Sequence, residues 1–190
     1  MNYAVIKKTD VANGPGVRVS LFVSGCTHRC RGCFNSEAWD FGYGREYTQE
    51  TESEILKALE PDYIRGFSVL GGEPMEPENR KTVLDLLRKV RRTYPGKDIW
   101  CYTGYDFERD LLRWKKEEDN LAGSAAAGDN AVKEKATSTM GELLSLLDVV
   151  VDGEFVEEKK NLRLAFRGSE NQRIIDVKES LKQGRTICLG

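Results

Sequence analysis

Strand-length apolar runs alternate along this chain with stretches whose apolar positions recur every three or four residues. Val19-Ser20-Leu21-Phe22-Val23 is the first such run. Thr48 to Leu59 follows as a helix, with Thr48 or Thr51 as N-cap and acids in the first turn, and Pro61 ends it. Gly66-Phe67-Ser68-Val69-Leu70 reads as a buried strand leading into Gly71-Gly72-Glu73-Pro74. Arg80 to Tyr94 then repeats Val83, Leu84, Leu87 and Val90 at helical spacing. Asp98 to Tyr102 is a further strand, Thr103-Gly104-Tyr105 its exit turn, and Phe107 to Lys116 the helix after it. This alternation predicts β-α units and an α/β fold with a mainly parallel sheet.

The pattern breaks between Asn120 and Thr139, where small and charged residues show no apolar periodicity, so a flexible insertion is expected there. It resumes with Met140 to Leu147 as a helix and Asp148 to Val151 as a strand ending at Asp152-Gly153. Leu162, Leu164 and Phe166 alternate, and Arg173 to Val177 is apolar, so extended structure is expected to close the chain. No solenoid repeat is present. At 190 residues, one domain spanning 1–190 is expected.

A formal net charge of −2, with both signs interspersed, gives no nucleic-acid footprint. No stretch approaches the roughly 20 apolar residues of a membrane span, and residues 1–10 lack the apolar core of a leader, so a cytoplasmic protein is expected. Of five cysteines, Cys26, Cys30 and Cys33 lie too close together for a disulfide framework. Cys101 sits in the apolar run Ile99-Trp100-Cys101-Tyr102 and reads as a small buried hydrophobe; Cys188 receives no role.

The cysteine segment, Gly71-Gly72-Glu73-Pro74, Thr103-Gly104 and Asp152-Gly153 all fall at the carboxyl ends of predicted strands, the edge where α/β folds place their sites. Each alone is weak; their convergence marks a site. Soft thiolates spaced C-x-x-x-C-x-x-C suit zinc or an iron–sulfur cluster. A closed zinc site wants four ligands, and His28 is the only histidine available to make up Cys3His. Three thiolates alone suit a 4Fe-4S cluster with one iron open.

That spacing, followed by Gly71-Gly72-Glu73-Pro74, resembles the radical S-adenosylmethionine superfamily. The resemblance implies a 4Fe-4S cluster on Cys26, Cys30 and Cys33. Its open iron would chelate S-adenosylmethionine and cleave it reductively to methionine and a 5′-deoxyadenosyl radical. Gly71 and Gly72 would present backbone groups to the methionyl amine, with Glu73 close by. A narrower likeness lies in Asn13-Gly14-Pro15-Gly16-Val17-Arg18, the cysteine segment through Phe34-Asn35, Trp39, Trp100 with Thr103-Gly104-Tyr105, Asp152-Gly153 and Arg167-Gly168-Ser169-Glu170-Asn171-Gln172-Arg173. These resemble the activating proteins of anaerobic (class III) ribonucleoside-triphosphate reductase.

The likeness implies an incomplete (β/α) TIM-like barrel of about five or six units and the generation of a glycyl radical on the large reductase subunit, by removal of a hydrogen from one of its glycines. A flavodoxin or ferredoxin is implied as electron donor, and a homodimer or a heterotetramer with the reductase is compatible with it. Many superfamily members carry an aromatic residue just before the third cysteine; here that position is Gly32. The backbone of Gly32, Cys33 and Phe34 is therefore assigned to the adenine side, with Phe34 as apolar contact. Asp152 is a candidate for the ribose hydroxyls or a cation by the methionyl carboxylate, or else a structural turn. Arg167 and Arg173 either orient the partner's glycine loop or anchor the closing strand. The competing readings are a radical enzyme acting on a metabolite, such as a deazapurine synthase, a different glycyl-radical activase, and a non-catalytic zinc or iron–sulfur module.

Overall fold

The computed structural model describes residues 1–125 and 139–189. Seven strands form one sheet: β1 (Asn2–Asp10), β2 (Val17–Val23), β3 (Arg45–Glu46), β4 (Ile64–Gly71), β5 (Asp98–Tyr102), β6 (Val149–Asp152) and β7 (Arg173–Asp176), in the order β3-β1-β2-β4-β5-β6-β7. β2, β4, β5 and β6 run parallel, while β1, β3 and β7 are antiparallel to their neighbours. Helices α1 (Gln49–Leu59), α2 (Pro77–Thr93), α3 (Arg113–Ala125), α4 (Thr139–Leu146) and α5 (Val177–Gln183) complete the fold. None of the described helices is long and apolar enough to cross a membrane.

Register divides the sheet into two faces. Leu21, Val69, Cys101, Val150 and Ile175 stand opposite one another in a row across β2, β4, β5, β6 and β7. All five are fully buried, in the same cluster as Ile55 and Leu59 of α1, Val83 and Leu87 of α2 and Leu143 of α4. That face is the helix-covered core, and Cys101 is the small hydrophobe its neighbours imply. One residue along each strand the side chains point the other way. Ser20, Ser68, Trp100 and Val149 form the next row, and Trp100, Val149, Val151 and Ile174 make a second, smaller cluster. Among the described residues no helix joins that cluster; Tyr102 and Phe166 pack against it, and both also line the functional cavity.

Local chemistry sets the element ends. Both threonines proposed for the start of α1 are used in a reciprocal capping box, Thr48 as N-cap and Thr51 at the third helical position. α2 begins at Pro77, ahead of the expected Arg80, because its first turn is polar and carries no apolar period. Phe107 to Leu112 is a π-helical turn capped by Asp106, and α3 continues to Ala125 instead of stopping at Lys116. The flexible insertion expected at 120–139 lies mostly outside the described residues; 120–125 extend α3, and Thr139 opens α4.

Three further differences concern the chain ends. Residues 2–10 form a strand that the sequence pattern did not single out. Leu162 to Phe166 form turns, not the extended segment their alternation suggested. Asp176 closes β7 and caps α5, its side chain accepting from the amide of Glu179 at 2.8 Å.

Candidate functional site

The cysteine segment leaves β2 at Val23 and returns through a 3-10 turn at Ser36–Trp39. Two backbone bonds close the resulting loop, from the Gly25 amide to the Ala38 carbonyl (2.8 Å) and from the Cys26 amide to the Trp39 carbonyl (3.1 Å). The β4 exit is bonded directly onto its start: the Gly72 amide donates to the Val23 carbonyl and the Glu73 amide to the Gly25 carbonyl, both at 2.7 Å. Such contact demands glycine. Gly71 has φ of +112°, and a Cβ on Gly72 would lie 2.5 Å from the Gly25 carbonyl oxygen. The sequence spacing therefore becomes one rigid unit of two loops.

Buried polar side chains, which sequence reasoning missed, lock this unit. Glu76 Oε1 accepts from the Thr27 amide at 2.7 Å and the Thr27 hydroxyl at 2.5 Å. Asn79 Nδ2 donates to the carbonyls of Ser24 and Glu73, both at 2.9 Å. Glu73 is 1% exposed and accepts from the Met75 amide and, across to the β5 exit, from the Gly104 amide at 2.7 Å. The available signal was positional: Glu76 and Asn79 sit where α2 begins beside Gly71-Gly72-Glu73-Pro74.

Cys26, Cys30 and Cys33 are free thiols, all half-buried, and open on a single cavity of about 540 Å³ that Gly71, Gly72 and Glu73 also line. Burial, then the charge of Glu73, pushes the Cys26 thiol up to about 11; burial also raises Cys30. Phe34 lines the cavity while 67% exposed, its ring edge-on to Phe155 at 5.8 Å. Arg167 lines it too, donating to the Gln172 carbonyl at 2.7 Å.

Two residues placed in the site by sequence lie apart from the cavity wall. Gly32 turns between Cys30 and Cys33 against the Glu157 side chain. Asp152 is 1% exposed, and its carboxylate is held by Arg173 and by the Phe107 amide at 2.9 Å. Arg173 likewise anchors β7, bonding Asp152 and Glu108. The neighbour of Asp152, Gly153, does reach the cavity.

His28 is not a surface group. Its side chain is 9% exposed, with the ring packed on Tyr105 at 4.4 Å. Nδ1 meets Glu154 Oε1 at 2.8 Å, and Nε2 lies 3.5 Å from Glu73 Oε2. Burial works against its charge, but these two acids outweigh burial and hold its pKa at about 9. Both ring nitrogens thus face carboxylates, of Glu154 and Glu73.

The donor set fits a cluster better than a single ion. Tetrahedral thiolates on one zinc stand about 3.8 Å apart, given Zn–S bonds of about 2.3 Å. Among the described residues, no three ligand atoms drawn from these thiols and His28 lie within 4.8 Å of one another. A four-iron cluster binds its thiolates at separate corners, which suits wider spacing.

Residues 12–175 match the family described as a 4Fe-4S single cluster domain. Over 174 residues the chain is 40% identical to the anaerobic ribonucleoside-triphosphate reductase-activating protein of Vibrio cholerae, covering 90% of this chain and 96% of that one. It is 37% identical to the activating protein of that name from Escherichia coli K12, with the same coverage, and 36% identical to that of Enterobacteria phage T4, covering 92% of this chain and 93% of the phage protein. The chain belongs to the family of anaerobic ribonucleoside-triphosphate reductase-activating proteins. Membership in this 4Fe-4S family accords with the three free thiols and the spacing between them. The non-catalytic zinc module is thereby set aside.

Proposed function

We propose that the chain is a radical S-adenosylmethionine activase that installs a glycyl radical on the large subunit of anaerobic ribonucleoside-triphosphate reductase. The observation that carries this is the single cavity on which three free thiols and the Gly71–Glu73 loop open together. Cys26, Cys30 and Cys33 would hold the cluster. When bound, the cluster would supply the electron that cleaves S-adenosylmethionine to methionine and a 5′-deoxyadenosyl radical, which would take hydrogen from a partner glycine.

The chain's own residues supply position and charge. Glu73 is fixed by two backbone amides, so its carboxylate meets the methionyl amine without reorganising. Gly71 and Gly72 bring backbone groups to the same place. The Cys33–Phe34 backbone and the Phe34 ring take the adenine side, and Asp152 acts one step back, its carboxylate held by Arg173 and the Phe107 amide while the adjoining Gly153 reaches the cavity. The four parallel strands are read as an arc of the incomplete radical-enzyme barrel, within one activase domain of 1–190. We assign it to the cytoplasm, where thiols stay reduced, with a flavodoxin or ferredoxin as donor, working as a homodimer or as a heterotetramer with the reductase.

Anaerobic reconstitution with iron and sulfide followed by reduction in the presence of S-adenosylmethionine tests the reading. Methionine and 5′-deoxyadenosine should form, and adding the reductase should give a doublet glycyl EPR signal. Stoichiometric zinc without a visible charge-transfer band would overturn the cluster. Cleavage without a glycyl signal would move the substrate elsewhere.

A further inference from the structure

The segment from Lys159 to Arg167 stands at the cavity mouth and is built to project. Its base is stapled: Lys160 and Ser169 form an antiparallel bridge, the Glu170 amide donates to the Lys159 carbonyl at 2.9 Å, and Asn161 Nδ2 bonds Glu170 Oε1 at 2.9 Å. Gln172 Oε1 accepts from the amides of Gly168 and Ser169, fixing the returning strand. Phe166 adopts φ of +58°, a left-handed conformation costly for a side-chain-bearing residue, and this turns its ring onto Trp100 at 5.7 Å. Leu162 is left 83% exposed, an unusual place for a leucine beside a cavity, facing a mouth that also carries the 67% exposed Phe34.

Charge says what covers it. Lys159, Lys160, Arg163 and Arg167 are the charged residues of this segment, all cationic, in a chain of net charge −2. Ion pairs are spread over the rest of the chain, including Arg31 with Glu157 and Arg173 with Glu108. Among the described residues none of these four cations belongs to one. Lys160 instead lies 5.0 Å over the Phe34 ring, joining the apolar and basic parts of the rim.

We infer that the 159–167 arm is the docking element for the polypeptide substrate, gripping an extended apolar segment flanked by acidic side chains. Leu162 takes an apolar side chain at the mouth, and the cations pair with carboxylates outside it. The inference rests on the reading above, that the substrate is a partner protein and not a metabolite.

Binding of the full-length reconstituted protein to the large reductase subunit, measured by biolayer interferometry across a KCl series, tests it. Leu162→Asp should raise Kd about tenfold or more. A Lys160→Glu/Arg163→Glu variant should weaken binding and flatten its salt dependence. All three substitutions fall at exposed positions, and circular dichroism checks that the fold persists. Formation of 5′-deoxyadenosine by dithionite-reduced protein without the reductase should match the parent in both variants. Kd values within twofold of the parent in both variants would overturn the inference. So would variants that alter only self-association in light scattering, which would make the arm's partner a second copy of this chain. If the parent itself makes no 5′-deoxyadenosine, the radical reading fails, while the binding comparison still decides the arm.

Discussion

Glu76 is 3% exposed and accepts two hydrogen bonds through one carboxylate oxygen, both from Thr27. It fixes the residue between Cys26 and His28 to the N-cap of α2, so the ligand loop cannot drift from the Gly71–Glu73 loop. Glu76→Ala should leave the Thr27 amide unpartnered and cost about 1–3 kcal/mol. Iron retained per chain after reconstitution and desalting should fall below that of the parent, and retention of parental iron would show that the loop holds itself. Conversely, Cys30→Ala should abolish both the visible chromophore and S-adenosylmethionine cleavage. At this scale the three thiols were plain from spacing because metal chemistry dictates residue type. Glu76 and Asn79 were not, since a carboxylate or an amide at a helix start is ordinarily a cap; only their burial against the loop gives them this task.

The parallel strands are tied together by Arg18, which is fully buried on the loop-covered face. Its Nε donates to Ser68 Oγ at 2.8 Å and its Nη2 to the Phe67 carbonyl at 2.9 Å; Nη1 pairs with Asp98 at 2.5 Å, joining β2, β4 and β5. The guanidinium also lies 5.4 Å over Trp100. Arg18→Ala would leave Asp98 with Arg65 alone and take a donor from Ser68 Oγ and the Phe67 carbonyl, and a loss of about 1–3 kcal/mol is expected, read as a lower urea midpoint at unchanged slope. β2 itself was legible from its apolar run, and β5 was bounded correctly at Asp98 and Tyr102. β1 was missed because it borders the sheet, paired on one side by β2 and on the other only briefly by β3, and so alternates weakly. The Leu162–Phe166 alternation misled for the opposite reason: its side chains are divided between a cavity wall and open solvent, not between two faces of a sheet.

Across the whole molecule, Asp148 joins layers that are distant in sequence. Its carboxylate pairs with Arg91 of α2 at 2.6 Å, accepts from the Ile99 amide of β5 at 2.7 Å and also meets Lys178 of α5. Burial opposes its charge, but Lys178, Arg91 and the Ile99 amide outweigh burial and hold its pKa below the ordinary value. Because the folded value is depressed, this stabilisation is full above the unfolded pKa of about 3.9 and is lost as pH falls through the lower folded value. Asp148→Ala should therefore lower Tm at pH 7, with the difference from the parent shrinking below about pH 4; a difference constant with pH would remove the ionic explanation. The sequence by itself determined the alternating β-α order, the three thiol ligands and the glycine turns facing them, because periodicity, ligand chemistry and backbone sterics are local constraints. Tertiary structure alone decided that His28 packs between two acids, that the Asp152 carboxylate pairs with Arg173 instead of lining the cavity, and that Leu162 stands exposed on a basic arm. Those outcomes depend on which side chains meet across 20 to 130 residues of chain, and burial and pairing at that range leave no local pattern to read.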